Sequence, residues 1–443
     1  MARYSKYKET GVRAIGEIPT DWETVKTAYA FSFGRGLSIS RENMSDKGVP
    51  CVHYGDIHAR YGFAVDPAKD KLPCIDIGYL KNAPQALLKY GDYCFVGSSE
   101  DIEGSGNFTY LNGDLPAFAG SDTIILRTKR EINHRFVAYM FDSLSFREQI
   151  RPEVYGVKVF HPTQSIIKRV VGIYPSFEEQ AKIAEYLDNK TAQIDTLLAD
   201  LQTQAEMLDR YKRELIANTI TKGLDKNTPT KDSGVEWIGE VPSHWEQYPL
   251  FVVAKENTVK NTNMICNNLL SLSYGRIIQK DIETNFGLLP ENFDGYQIVQ
   301  PGYTVLRLTD LQNDKRSLRS GYVKETGIIT SAYLGLIPGE QLDSKYFTYL
   351  LHAYDLLKIY YGLGSGLRQT LKFSDMKRMP IPVPPLKEQQ KIVAFIDAKT
   401  EKINGLIADI NEQIQKLRQY RQIVIHDAVT GKIKVWEGNN DGD

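Results

Sequence analysis

Apolar side chains recur every three or four residues over two long stretches of the chain. In the first, Ile183, Leu187, Lys190, Ile194, Leu197, Leu201, Gln204, Leu208, Tyr211 and Leu215 are spaced 4-3-4-3. In the second, Ile392, Ile396, Lys399, Ile403, Leu406, Ile410, Gln413, Leu417, Tyr420 and Val424 occupy the same ten places. A seven-residue repeat kept up this long predicts a coiled-coil seam. The polar members coincide, Lys190 with Lys399 and Gln204 with Gln413. Polar seam positions specify register, so the pattern predicts that the two helices pair with each other. Antiparallel pairing is expected, because it relates the two stretches by a pseudo-twofold axis. A single amphipathic helix would be ordinary core, whereas two register-matched ones point to a separate spacer. Ser176 three residues before Glu179 reads as a capping box, Pro384-Pro385 as a second helix start, and Gly223 and Gly431 as C-terminal stops. About 40 residues at about 1.5 Å each make a rod of roughly 60 Å.

The intervening segments, 24–174 and 247–383, have a different pattern. Short apolar runs such as VPCVHYGDIH, YGDYCFVGSS and SDTIILRTK in the first, and LLSLSYGRII, GYTVLRLTD and SAYLGLIPG in the second, alternate with Gly/Asn/Asp turns and predict strands. Each segment also has one helical stretch near its end, NHRFVAYMFDSLSFREQI and DSKYFTYLLHAYDLLKIY. Both therefore read as α+β domains of one fold, with Tyr54-Gly55 aligned on Tyr274-Gly275.

Underneath lies a tandem duplication. KETGVRAIGEIPTDWE (Lys8 to Glu23) returns as KDSGVEWIGEVPSHWE (Lys231 to Glu246), 223 residues later. The helical stretches repeat at an offset of 209, with 16 of 45 positions identical between 177–221 and 386–430. Each copy thus runs short box, variable domain, long helix. The constant parts are alike and the middles have diverged, as expected of one scaffold presenting two recognition surfaces. The predicted division is 1–175 and 224–384 for the two globular domains, 176–223 and 385–432 for the helices, and 433–443 for a tail.

Composition is that of an ordinary globular protein, with 42% hydrophobic and 25% charged residues. No apolar run reaches the roughly 18 residues of a membrane span, and the N-terminus lacks a secretory pattern, so the cytoplasm is expected. Cys51, Cys74, Cys94 and Cys266 form no paired motif and read as free thiols. The net charge of −1 does not advertise nucleic-acid binding, yet segments 24–174 and 247–383 carry +2 and +3, so positive charge gathers in the variable domains. No methyltransferase, phosphate-loop, zinc or nuclease motif is present, and no catalytic residue or metal ligand is expected on this chain.

Candidate DNA-facing residues lie in turns. They are Tyr54, Arg60, Ser98, Ser99, Lys158 and His161 in the first domain, and Arg276, Arg307, Arg316, Arg319, Arg368, Gln369 and Lys372 in the second. Arg and Gln suit bidentate reading of guanine and adenine in the major groove. The bland reading of each is a solvated surface side chain.

The layout resembles the specificity (S) subunits of type I restriction-modification systems. The resemblance is carried by GVEWIGEVPSHWE and its copy, by VPCVHYGDI, and by MKRMPIPVPPLKEQQKIVAFID with its copy IKRVVGIYPSFEEQAKIAEYLD, and it covers essentially the whole chain. Ala14, where the second copy has Trp237, and the unmatched Gly34 to Gly48 segment depart from the pattern. The resemblance implies two target recognition domains, each reading half of a bipartite DNA sequence, separated by a pair of long antiparallel coiled-coil helices. It implies two methyltransferase subunits and two endonuclease/translocase subunits as partners, with S-adenosylmethionine, ATP and Mg held by them and no cofactor here. An enzyme with unusual motifs and a coiled-coil protein–protein adaptor are the competing expectations.

Overall fold

The computed structural model describes residues 3–281, 293–311, 318–363 and 370–435. Contacts divide the chain into two compact units, Met1–Asp200 with Glu412–Asp443, and Leu201–Asn411. These are not the sequential blocks of the predicted division, because each unit takes part of both long helices.

In the first unit the box forms a hairpin, Tyr7–Glu9 against Glu17–Pro19. Strand Glu23–Lys26 pairs with Val171–Tyr174, closing the variable domain at its neck. Beyond the neck lie a five-stranded sheet, ordered Phe31–Arg35, Thr123–Thr128, Tyr93–Val96, Phe108–Leu111, Ala64–Val65, and a four-stranded sheet. Helix His134–Asp142, N-capped by the Asn133 side chain, packs its Phe136, Met140 and Phe141 into the core. Phe141 meets Phe95 at 5.1 Å and Phe108 at 5.6 Å, in the edge-on geometry that aromatic quadrupoles favour.

The second unit repeats the plan. Its box pairs Thr230–Asp232 with Glu240–Pro242, and its neck pairs Glu246–Pro249 with Pro380–Val383. A sheet ordered Ala254–Glu256, Leu334–Pro338, Thr304–Leu306, Ser320–Tyr322 packs under helix Ser344–Leu356, capped by Asp343. Each unit is α+β. The expected match of Tyr54-Gly55 to Tyr274-Gly275 fails locally. Tyr54 opens helix Tyr54–Ala59, whereas Tyr274 (φ 45°) and Gly275 (φ 76°) turn a hairpin.

The long helices run Phe177–Lys222 and Leu386–Val429. Pairing is antiparallel within each unit taken alone. In the first, Arg421 meets Asp195 at 2.9 Å, while Gly431 lies against Trp22, which in turn holds Glu179. In the second, Lys212 meets Asn404 at 3.1 Å, while Gly223 lies against Glu388. The offset of 209 carries one contact onto the other, so the same helix pairing is built twice.

The seam differs from the spacing predicted above. Ile183, Leu187, Ile194, Ile392, Ile396 and Ile403 are buried, and Leu201, Leu208, Ile410 and Leu417 half-buried, but Leu197 and Leu406 are 51% and 44% exposed. Gln204 and Gln413 are exposed as well. The inward positions of that second row are one residue further on, at Thr191, Leu198, Ala205 and Lys212, and at Thr400, Ile407, Ile414 and Arg421. Near the domains each helix must also meet a globular core, and 3.6 residues per turn brings the later residue inward. The matched glutamines therefore face water and do not set register.

Candidate nucleic-acid interface

Each long helix is joined to its domain by the same set of side chains. Trp22 Nε1 donates to Glu179 at 2.9 Å and Trp245 Nε1 to Glu388 at 3.1 Å. Gln180 accepts from the Asn133 backbone and donates to the Pro175 carbonyl, and Gln389 does the same with Asp343 and Pro384. Tyr139 donates to Asp188 and Tyr349 to Asp397, both at 2.6 Å. Buried donors need acceptors, which explains why the Glu-Gln pair and the aspartate recur in both helices. Ser176 does accept from the Glu179 backbone, at 3.3 Å, but the Glu179 carboxylate turns to Trp22 and Tyr4, so only half of the expected capping box forms. At the other ends Gly223 (φ 75°) and Gly431 (φ 71°) stop the helices in the left-handed conformation. A Cβ on Gly431 would come within 2.4 Å of Pro19.

The first-domain candidates lie on one connected surface. Helix Tyr54–Ala59 is capped by His53, whose Nδ1 accepts from Gly55. Burial holds the His53 imidazole below its ordinary pKa, which keeps that nitrogen an acceptor. Tyr54 is half-buried over the His53 ring, and Arg60 is exposed, paired with Asp56 at 3.3 Å. Asn107 Oδ1 accepts from Arg147, so its amide donates to His58 Nδ1, and His58 Nε2–H then donates to the Ser98 carbonyl at 3.1 Å. Ser99 is buried and exchanges two backbone hydrogen bonds with Phe160, at 2.9 and 2.7 Å. That bridge pins the loop bearing Lys158 and His161 beside the helix. Its tip presents exposed Tyr155, Val157 and Lys158, with Val157 94% exposed. Gly156 makes the turn possible, since a Cβ there would lie 1.8 Å from the Val159 carbonyl. Ser99 is thus a fastener, while Arg60, Lys158 and His161 face outward.

The second-domain set does not gather in the same way. Arg276 is exposed beside the hairpin turn and Lys372 is exposed at the start of helix Phe373–Met376. Arg307 is half-buried on the sheet. Arg319 is fully buried, and its guanidinium donates to the carbonyls of Arg307, Thr309 and Asp310 and to Tyr361. As placed it cannot reach a base edge, because its donors are used inside the fold. Arg316, Arg368 and Gln369 lie outside the described residues. Missed by sequence reasoning was a cavity of about 380 Å³ lined by Lys212, Arg276, Lys324 and Lys345, with tyrosines 274, 322 and 349 around it. All four cysteines are free thiols.

Among known proteins, the type I restriction modification DNA specificity domain matches residues 322–416. A putative type I restriction enzyme MjaX specificity subunit from Methanocaldococcus jannaschii is 24% identical, across 97% of this chain and 98% of that one. The EcoBI specificity subunit of Escherichia coli is 22% identical across 98% of this chain and 90% of its own. A solved chain from work on complex assembly and conformational transition of a type I restriction-modification system shares the fold, at TM-score 0.60 and 16% identity over 94% of this chain and 99% of that one. Among the described residues no helix is long and apolar enough to cross a membrane, and no three metal-binding side chains converge.

Proposed function

We propose that the chain is the DNA-reading subunit of a type I restriction-modification assembly. Each variable domain reads one half of a bipartite target, and the two long helices set the unread spacer and dock methyltransferase subunits. One observation carries this reading: identical helix-to-domain joints recur in both units while the exposed surfaces beyond the necks differ. Exposed Arg60, Lys158 and His161 supply cationic and polar contacts, and the Tyr155–Val157 tip an apolar edge suited to a groove. The partners are double-stranded DNA, two methyltransferase subunits and two endonuclease/translocase subunits in the cytoplasm. Those partners hold S-adenosylmethionine, ATP and Mg and perform the chemistry.

The test is a matched insertion of seven residues between Ala199 and Asp200 and between Ala408 and Asp409. Methylation mapping in cells that supply the methyltransferase subunit should show a changed spacer between two unchanged half-sites. New half-sites with the old spacer would overturn the assignment of roles.

A further inference from the structure

Within the second unit, the cavity of about 380 Å³ collects cations where the corresponding first-unit positions hold ion pairs. The helix offset of 209 places Lys212 on Arg421 and Asn404 on Asp195. Counting from the tyrosines that grip the helix aspartates, Tyr349 and Tyr139, places His352 on Asp142. In the first unit Arg421 is held by Asp195 at 2.9 Å and Asp142 at 3.6 Å, and Asp142 also takes Arg147 at 2.9 Å. In the second unit both carboxylates are gone. Lys212 finds the neutral Asn404 at 3.1 Å and pairs at 2.9 Å with Asp209, its neighbour on the helix. His352 is uncharged at neutral pH, since burial and the charges of Lys212 and Arg213 push its imidazole down to about 4. Lys345 pairs with Asp397 at 2.7 Å, whereas Arg276 and Lys324 have no ion pair among the described residues. Among the described residues, four cations therefore line the cavity with a single carboxylate, Asp397.

We propose that this cavity is a phosphate-binding site. A phosphate brings the missing negative charge and several acceptor oxygens, matching a guanidinium and three ammonium groups. The group belongs either to a DNA backbone or to a free nucleotide, and the two sources can be separated. The inference stands apart from the reading of half-sites, which methylation mapping measures separately.

The intact chain is titrated with pyrophosphate at constant ionic strength, following calorimetric binding and the thermal midpoint. Saturable binding and a raised midpoint are expected. Asn404→Asp restores the first unit's carboxylate at an exposed position. It should weaken binding at least about tenfold, the worth of one charge-assisted hydrogen bond, without lowering the midpoint in pyrophosphate-free buffer. The double variant Arg276→Gln/Lys324→Gln should lose binding similarly, and Lys324→Arg should keep it. Displacement of pyrophosphate by a short duplex of unrelated sequence assigns the site to backbone phosphate. Binding of a nucleoside triphosphate that such a duplex leaves in place assigns it to a nucleotide. No saturable binding, or equal binding by the parent and every variant, overturns the proposal.

Discussion

Glu179 shows how much a single repeated residue carries. Its carboxylate accepts from the buried Trp22 indole at 2.9 Å and from Tyr4 at 2.6 Å. Removing the acceptor leaves the indole N–H unpaired in the interior. Glu179→Ala should therefore cost about 1–3 kcal/mol, and Glu179→Gln, which keeps an acceptor oxygen, distinctly less. Denaturant midpoints of the two variants check this. His352 adds a pH dependence. Its folded imidazole titrates near 4, below the ordinary 6.5, so between those values the unfolded chain binds the extra proton. The contribution is present above pH 6.5 and is lost as pH falls toward 4. The thermal midpoint should drop over that window, and His352→Asn should drop less; equal slopes would remove His352 as the cause.

At the scale of elements, the long helices separate what periodicity predicts from what packing selects. Ile414 is 8% exposed and Leu406 is 44% exposed, although only Leu406 fell in the predicted seam. Ile414→Ala should cost about 2–3 kcal/mol through the cavity it leaves, and Leu406→Ala under about 1 kcal/mol. Urea titrations of the two variants decide between the rows; equal losses would return Leu406 to the seam. The existence and ends of both helices were legible because heptads, prolines and glycines are local signals. The choice of inward row was not, since it depends on the domain cores that meet each end. The Ser99–Phe160 bridge was equally invisible, because it joins backbones 61 residues apart.

At the scale of the molecule, the first unit is completed by the end of the chain. Val424, Ile425, Ala428 and Val429 belong to the same buried cluster as Trp22, Phe136 and Leu187. A chain ending at Asn411 retains all residues of the second unit but strips this cluster of its closing face. Limited proteolysis should then cut throughout 1–200 and spare 201–411. Protection of both regions would show that the first unit folds without the second helix.

The sequence by itself determined the duplication, the α+β class and the long helices, since repeats, periodicity and turn residues are written in neighbouring positions. It also displayed Asp195 against Asn404, a difference of one carboxylate in otherwise aligned helices. Only the tertiary structure decided which row of each helix turns inward, that Arg319 is used up by buried carbonyls while Lys158 stands clear, and that four cations share one cavity. Burial and charge balance come from groups distant in sequence, and a side chain's role follows from what the fold places around it.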